Sequence, residues 1–442
     1  MKKSIEMKIV NPHAAGIDVG SREHLVAVGQ DLSDVSKFDI SHSGHLSLVA
    51  LLKLHKIQTV AMESTGSYWQ SLYLVLIEAG FEVLLVPGSQ TKTYLKSDVK
   101  DARHIQQLHS LGLLSSCYLP NEFTLKLREL SRHRKSMVQD ASKYINRMQK
   151  CLRMMNLRLD VVINDIVGIS GIRIIRAILA GERDPISLAA LAHGRIKKTK
   201  EQIADALYGN YQDEFLYELK DNFELFEGIQ NKLHSLDIKI ETLMTQAVEH
   251  IQLPKDLILA KKQLKGKNQP KIKLQELSYK FFNIDLSAIT GISVNTILSF
   301  ISEVGTSIDK FRNAKAFTSW LRLSPNNKVS GGKVLSSRTP KGKNPLAIAF
   351  RDAANVIGNQ KSGELTTFFK RIGLKKGRGA AITATARKIA VIFYNMVTKK
   401  QAYNPQIPEY IQEKIAKKKL NFALEIIKNN GLKIIDSHGV LI

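Results

Sequence analysis

Residues 14–19 (Ala-Ala-Gly-Ile-Asp-Val) and 24–29 (His-Leu-Val-Ala-Val-Gly) decide the fold at the start of this 442-residue chain. Both segments are short and apolar, and Gly20-Ser21-Arg22 between them is a typical tight connection. The pattern predicts a hairpin of two strands, with Asp18 at the end of the first one.

Further short elements follow at close intervals. The sequence predicts a strand in the apolar run 59–62, a helix at 68–79, a strand at 82–86 and a helix at 100–114. Strands and helices that alternate in this way are typical of α/β layering. We therefore expect an α/β domain over residues 1–120.

The middle of the chain has a different pattern. Residues 122–159 contain no Gly or Pro, and apolar residues recur every three or four positions, as in a long exposed helix; residues 215–251 resemble them apart from Gly228. With a helical insert at about 160–214, they predict an all-α region over 121–273. A coiled coil used for assembly and an ordinary helical bundle both fit the pattern.

The remainder divides by composition. Residues 255–273 contain seven Lys and one Asp together with Gly266 and Pro270, which indicates a basic linker. We expect a mainly helical domain at 274–403 and a helical tail at 404–442. Neither an internal repeat nor a low-complexity tract stands out.

The charge indicates the class of partner. Lys and Arg total 65 against 40 Asp and Glu, a formal charge of +25 in a composition ordinary for folded proteins, so a polyanion is the expected partner. Two cysteines without zinc-motif spacing disfavour disulfide frameworks and cysteine metal sites. Without a predicted signal peptide or membrane span, we expect a cytoplasmic protein associated with the nucleoid.

Four acidic residues form the first candidate site. Asp18 and Glu63 end apolar strands, and Asp98 and Asp101 lie three residues apart at a helix start, on one helical face. Clustered carboxylates are costly unless divalent cations such as Mg²⁺, which prefer oxygen ligands, neutralise them. Two metal ions can promote phosphodiester cleavage. The alternative is that each acid is a surface or helix-capping residue.

A helix-hairpin-helix pattern, a motif that grips the DNA backbone, spans residues 286–293 and precedes a predicted helix at 294–304. Gly291 in its hairpin would let backbone N–H groups approach a phosphate. A glycine-centred turn between two core helices is the alternative.

The third candidate is residues 323–333, in which Ser330 precedes two glycines. A serine needs a base or a metal-bound environment to attack phosphorus, and cations stabilise the charge that develops there. A solvated glycine-rich loop also fits. Five basic residues without an intervening acid accompany it: Lys328, Lys333, Arg338, Lys341 and Lys343.

A fourth candidate spans residues 370–388, which contain seven basic residues and no acid. We predict a loop at 375–379 and a helix from about Ala380, with phosphate contact as the functional interpretation and a solvated basic face as the alternative. The basic residues are Lys370, Arg371, Lys375, Lys376, Arg378, Arg387 and Lys388.

Four segments in this order resemble one known family. They are Gly-Ile-Asp-Val-Gly at 16–20, Met-Glu-Ser-Thr-Gly at 62–66, Ser-Asp-Val-Lys-Asp-Ala-Arg at 97–103 and Leu-Ser-Pro…Ser-Gly-Gly-Lys at 323–333. Together they are similar to the DEDD transposases of the insertion sequence 110 family, themselves similar to Piv invertases. The resemblance implies a RuvC-like domain of RNase H fold, whose four acids bind Mg²⁺. These acids are Asp18, Glu63, Asp98 and Asp101.

The resemblance also implies how the reaction proceeds. Ser330 would form the covalent link to DNA, with Ser324 as the fallback, because this chain has Val329 where family members often have a further serine. A structured non-coding RNA would bridge donor and target DNA. The helical middle region would serve assembly, and holding two DNA partners favours a dimer or tetramer.

Two rival functions are compatible with the residues. A metal-dependent nuclease or Holliday-junction resolvase would use the acids with water as the nucleophile. A protein that only binds nucleic acid would need the basic surfaces alone. The acids and Ser330 lie more than 200 residues apart, so the sequence leaves open whether one chain or two complete a site.

Overall fold

The computed structural model describes residues 8–64, 66–91, 98–117, 119–259, 266, 268–342, 344–404, 417, 420–427 and 429–432, except for the side chain of Asp98. The chain forms two compact units, residues 1–119 and 120–442. Within the described ranges, no helix is long and apolar enough to cross a membrane.

In its described residues, the first unit contains one five-stranded sheet, three α-helices and a single 3-10 turn at 32–34. Strand order is β3-β2-β1-β4-β5; β1 pairs antiparallel with β2 and parallel with β4, β2 pairs antiparallel with β3, and β4 pairs parallel with β5. The elements are β1 (Ala14–Val19), β2 (Glu23–Ala27), β3 (Val35–Asp39), α1 (His42–Leu54), β4 (Thr59–Glu63), α2 (Trp69–Glu78), β5 (Glu82–Val86) and α3 (Asp98–Ser110). This mixed α/β unit is consistent with the RuvC-like domain that the sequence predicts.

Alternation along β1 gives the sheet two different faces. Ile17 and Val19 belong to the core that includes Leu48 of α1 and Leu72 of α2. Gly16 lies on the opposite face, which α3 covers. Side chains of successive strand residues point to opposite faces, so the central strand is buried on both sides.

The predicted hairpin, strands and helices of this unit are present, but β3 and α1 were not indicated by the sequence pattern. β3 is an edge strand whose residues are half-buried or exposed, so it lacks an apolar run. Helix α1 begins after Ser41, whose hydroxyl caps the Gly44 N–H, and it buries only one face, including Leu48 and Leu52.

The described part of the second unit is largely helical and includes one two-stranded hairpin. Its elements are α4 (Glu122–Met154), α5 (Leu159–Val162), α6 (Ile169–Leu179), α7 (Pro185–Ala190), α8 (Lys200–Asp205), α9 (Asp213–Ala247), α10 (Leu274–Phe282), α11 (Val294–Val304), α12 (Ala314–Trp320), β6 (Lys328–Ser330), β7 (Lys333–Ser336), α13 (Pro345–Gly358), α14 (Glu364–Lys376) and α15 (Arg378–Lys399). Residues 420–427 in the predicted tail are also helical.

Helices α4 and α9 pack antiparallel within the same chain. Leu127 and Met137 share a core with Leu236 and Met244, while Cys151, near the end of α4, shares another with residues near the start of α9. The short helices α5–α8 close over that second core. The long helices thus form an intramolecular hairpin that carries the insert.

The remaining helices surround an aromatic core. It contains five fully buried phenylalanines, and the same core includes the first turns of α4 and the last turns of α9. Residues 121–273 and 274–403 therefore share one core, and a boundary between them stays a prediction. The phenylalanines are Phe282, Phe300, Phe317, Phe350 and Phe393.

Candidate active site and nucleic-acid interface

Asp18 and Glu63 occupy matching positions on neighbouring strands. β1 and β4 are parallel with Ile17 opposite Met62, so the next residues, Asp18 and Glu63, continue the same register. Residues in register on parallel strands point to the same face. Both side chains are half-buried.

Helix α3 lies across that face and brings Asp101 towards it. A Cβ on Gly16 would lie 2.2 Å from the Gln106 backbone nitrogen and 2.6 Å from the Ala102 carbonyl oxygen, so only glycine permits this approach. Gln106 donates its amide Nε2–H to the Ala14 carbonyl at 3.1 Å. The first turn of α3 therefore lies towards the carboxyl ends of β1 and β4.

The carboxylate of Glu63 is held by two neighbours that the sequence pattern did not indicate. The buried Thr91 hydroxyl donates to Glu63 Oε2 at 2.6 Å. A Cβ on Gly88 would lie 2.4 Å from Glu63 Oε1, so the missing side chain leaves space for this oxygen. Thr91 and Gly88 fix the position of a candidate metal ligand.

These carboxylates suit Mg²⁺ by their chemistry, because hard cations prefer oxygen ligands. Asp98 is the first residue of α3, and its side chain lies outside the described part of the structure. Among the described residues, no three His, Cys, Asp or Glu side chains are grouped closely enough to hold one ion. Asp18, Glu63 and Asp101 thus occur in the elements that meet at one sheet face, without forming a closed ligand cage there.

Ser330 lies at the tip of an exposed hairpin. β6 and β7 pair antiparallel, with Ser330 opposite Lys333, and the two glycines between them have φ angles of +53° and +74°. Positive φ at both central positions is typical of a type I′ turn, which most side chains disfavour. The Ser-Gly-Gly-Lys sequence therefore encodes a tight turn with an exposed hydroxyl beside an exposed lysine.

The base of this hairpin is tied to the helical core. The Asn326 N–H donates to the Arg338 carbonyl at 3.0 Å, and Ser324 shares a 2.9 Å hydrogen bond with the buried Thr318 hydroxyl of α12. Ser324 is half-buried, whereas Ser330 is exposed. Of the two candidate serines, Ser330 is therefore the more accessible to solvent.

The other predicted cations of this region lie around the hairpin. Lys328, Lys333, Arg338 and Lys341 are exposed, and Lys343 lies outside the described residues. The Lys341 carbonyl accepts from Arg322, whose guanidinium fills the space beside Gly342 at φ +128°. Four described cations therefore accompany the exposed serine.

Residues 370–388 differ in part from the predicted arrangement. The predicted loop at 375–379 is wrong, because α14 continues to Lys376 and α15 begins at Arg378. Gly377 alone, at φ +80°, separates them, since a single residue of positive φ is enough to end a helix. Lys375 and Lys376 lie exposed in the last turn of α14.

Two predicted phosphate ligands of α15 have partners within the protein. Lys388 pairs with Glu364 at 2.5 Å and lies over the Phe368 ring. Arg378 donates to the side-chain oxygens of Asn355 and Asn359 at 2.6 and 2.8 Å. Arg387 is half-buried. These contacts favour a structural role for Lys388. Arg378 is exposed as well as hydrogen-bonded, so it suits both a structural role and phosphate contact.

Gly291 lies at φ +85° in a turn between a single 3-10 turn at 286–288 and helix α11. A Cβ there would lie 2.7 Å from Ile357 Cγ1 and 2.9 Å from the Ala353 carbonyl of α13. Packing against α13 explains the glycine without a phosphate. The helix following the turn has its predicted bounds, 294–304.

Two family models match the chain. Residues 15–156 match one described as a transposase, of the DEDD type named for IS110, and residues 285–370 match the transposases of the IS116/IS110/IS902 family. The chain belongs to the IS110 family of transposases. It is a DNA transposase, an enzyme that recombines DNA, as the four motifs of the sequence predict. None of the curated proteins matches this chain.

The matched segments contain three of the four candidate sites, whereas the basic segment 370–388 lies beyond them except for its first residue. The first includes Asp18, Glu63, Asp98 and Asp101, and the second includes Gly291, Ser330 and the basic residues up to Lys343. Together they cover about half of the 442 residues. Residues 157–284, with the helical insert, lie outside both.

Proposed function

We propose that this transposase cuts and rejoins DNA through a covalent ester between Ser330 and a DNA phosphate. The observation that carries the proposal is the exposed Ser330 hydroxyl at a diglycine turn, with Lys328 and Lys333 exposed on the same hairpin. A nucleophile on a protruding hairpin can reach a phosphodiester of a DNA duplex, which is too wide to enter a narrow cleft.

The chemistry conserves the energy of the broken bond. Ser330 Oγ loses its proton and attacks phosphorus, the bond from phosphorus to the 3′ oxygen breaks, and this oxygen leaves as a protonated 3′-hydroxyl. The new phosphoserine ester can be attacked by another 3′-hydroxyl in the reverse step, which regenerates Ser330 without ATP. Cations beside the hairpin stabilise the negative charge that develops on the phosphoryl oxygens.

The carboxylates of the first unit are proposed as the Mg²⁺ ligands, namely Asp18, Glu63, Asp98 and Asp101. When bound, the ion supplies Lewis-acid stabilisation of a phosphoryl group and lowers the pKa of a bound hydroxyl. The register of Asp18 with Glu63, the approach of α3 and the space left by Gly88 support this assignment. Thr91 orients Glu63 for this role.

Guidance by a structured non-coding RNA that bridges donor and target DNA is the next part of the proposal. The formal charge of +25 extends well beyond the four described cations around the hairpin, so the protein can neutralise the phosphates of a second nucleic acid as well. We further propose that the protein acts as a dimer or tetramer in the cytoplasm, near the nucleoid, with the intramolecular α4–α9 hairpin as the element that mediates assembly. A helix-hairpin-helix at 286–304 would add contacts to the phosphate backbone.

Trapping the covalent adduct tests the mechanism. DNA carrying the element's ends, incubated with protein and RNA, should give a protein–DNA adduct whose peptide map locates the modification at Ser330. Ser330→Ala should abolish the adduct and strand transfer, while Ser324→Ala should retain both. Strand transfer by Ser330→Ala would instead support a nuclease or resolvase that uses water.

Two further measurements separate the remaining parts. Asp18→Asn should abolish DNA cleavage while DNA binding persists; unchanged cleavage would contradict the metal role. Nuclease-treated protein that recombines DNA at full rate without added RNA would refute the guide-RNA proposal.

A further inference from the structure

Two segments of the second unit share one sequence pattern. Residues 166–178 and 289–301 align without gaps and have Ile, Gly, Ile, Ser, Ile and Ile at six equivalent positions. The first, fifth and sixth of these are buried in both copies: Ile166, Ile174 and Ile178 in one, and Ile289, Ile297 and Ile301 in the other. Each copy is a short turn followed by an 11-residue helix, α6 or α11.

The copy in the insert lies between the two matched family segments, so the family models assign it no role. The two copies differ at the start of the helix. Ser293 caps α11 by accepting from the Thr296 N–H, whereas α6 begins after Gly168, without a side-chain cap. The equivalent serine of the insert, Ser170, instead accepts from the backbone N–H of His193 at 2.9 Å.

This redirected hydrogen bond anchors a basic segment beside the uncapped start of α6. Arg195, Lys197 and Lys198 follow His193, are exposed, and form no ion pair among the described residues. With the start of α6 they line a cavity of about 530 Å³. These three positive charges outnumber the one negative charge in the lining, which belongs to Asp165. Asp165 Oδ1 accepts a hydrogen bond from the Val167 N–H.

Ser170 supplies a polar group at the cavity wall. Its side chain belongs to a residue that is only 9% exposed, and its hydroxyl hydrogen has no acceptor among the described residues. A phosphate oxygen would accept this hydrogen, and the N–H groups of a helix start together with three cations favour the same ligand. Ile169, which also lines the cavity, is 68% exposed, so the first turn of α6 is accessible to a large ligand.

We infer that this cavity binds the phosphodiester backbone of a nucleic acid, so the insert provides a second backbone-binding site in addition to the one proposed at residues 286–304. The ligand chemistry is the phosphate, and it can come from a DNA duplex or from an RNA duplex. The inference requires that the transposase handles nucleic acid, and it is independent of the chemistry at Ser330.

Binding of short duplexes of arbitrary sequence to the full-length protein tests the inference. The triple variant Arg195→Gln/Lys197→Gln/Lys198→Gln should weaken binding of DNA, of RNA or of both, and should reduce the slope of log K against log salt by about 2 to 3 for DNA. The matched control is Lys220→Gln/Lys232→Gln/Lys239→Gln, which removes the same charge from exposed positions of α9 and should keep the parent slope.

A second variant separates binding from folding. Ile169→Glu places a carboxylate in the first turn of α6, where negative charge stabilises a helix, but where it repels a phosphate. It should keep the melting temperature and lose at least several-fold in affinity. The inference would be overturned if the triple variant and Ile169→Glu both kept the parent affinity and salt slope. It would also be overturned if the α9 control lost as much affinity and slope as the triple variant.

Measuring the covalent adduct in parallel distinguishes the two proposals. The insert variants should still form the Ser330 adduct at saturating DNA, whereas Ser330→Ala should lose the adduct and keep the parent affinity. Weaker binding of DNA alone or RNA alone identifies which backbone the cavity takes and supports the inference in either case.

Discussion

Thr91 donates its hydroxyl hydrogen to Glu63 Oε2 at 2.6 Å, and this contact connects the segment after β5 to the end of β4. Thr91 is buried, so no water replaces a lost hydroxyl there. The bond fixes the rotamer of a carboxylate that belongs to the proposed metal site.

Thr91→Val should therefore lower Mg²⁺-dependent DNA cleavage by about 10-fold to 100-fold, the usual effect of removing a group that orients a metal ligand. Cleavage measured against Mg²⁺ concentration should shift to higher metal, while the melting temperature changes little. Thr91→Ser keeps the hydroxyl and serves as the control. Parental cleavage by Thr91→Val at low Mg²⁺ would show that Glu63 needs no such support.

The two acids on the strands could be predicted because their strands are apolar runs that end in a carboxylate. The supporting groups could not, since Thr91 and Gly88 come from a segment whose path depends on where the chain returns after β5. The requirement for glycine at position 16 could not be predicted either. It arises because α3, about 90 residues later in the chain, packs too close to Gly16 for any side chain to fit.

The sequence pattern also did not predict the buried ion pair between α4 and α9. Arg134 and Asp237 are 103 residues apart, yet they pair at 2.5 Å between α4 and α9, and both are nearly inaccessible. Each of the two helices shows its apolar periodicity locally, whereas their alignment depends on contacts such as this one. The segments of α6 and α11 likewise share six identical residues in the sequence, whereas the different partners of Ser170 and Ser293 depend on the fold, because His193 meets Ser170 only after the chain returns.

The diglycine turn gives a second prediction. A Cβ on Gly331 would meet no atom within 4 Å, so any effect of substitution comes from the backbone, which has φ +53°. Gly331→Asn should retain the Ser330 adduct, because Asn followed by Gly suits a type I′ turn. Gly331→Val should reduce adduct yield, because a β-branched residue disfavours positive φ.

Far-ultraviolet circular dichroism should be unchanged in both Gly331 variants, since the hairpin stands outside the helical core. Equal adduct yields from the Asn and Val variants would mean that the turn geometry does not position Ser330.

Lysines of α14 and α15 should separate into binding and structural roles. Lys375→Gln/Lys376→Gln removes two exposed charges in the last turn of α14 and should reduce the salt slope of DNA binding by up to about 2, with an unchanged melting temperature. Lys388→Gln breaks the pair with Glu364 and should lower the melting temperature more than it changes the slope. The opposite pattern, a slope effect from Lys388 alone, would contradict this assignment.

The buried pair of His24 and His45 predicts acid sensitivity of the first unit. Their Nε2 atoms lie 3.2 Å apart, and burial together with the nearby His45 lowers the pKa of His24 from 6.5 to about 4. Burial also lowers the pKa of His45, with His42 acting in the same direction and Asp39 opposing it. In the folded state His24 stays neutral where the unfolded chain would take up a proton.

The unfolded state thus binds more protons below pH 6.5, so the free energy of unfolding should fall as the pH decreases from about 6.5 towards 4. His24→Gln should flatten this part of the profile, measured by denaturant unfolding at a series of pH values, although it lowers stability at neutral pH by disturbing a buried contact. His55→Gln, at an exposed position, is the matched control and should keep the parent profile. A parent profile without a slope between pH 6.5 and 4, or one that His24→Gln leaves unaltered, would show that the buried histidine pair does not set the acid limit of this unit.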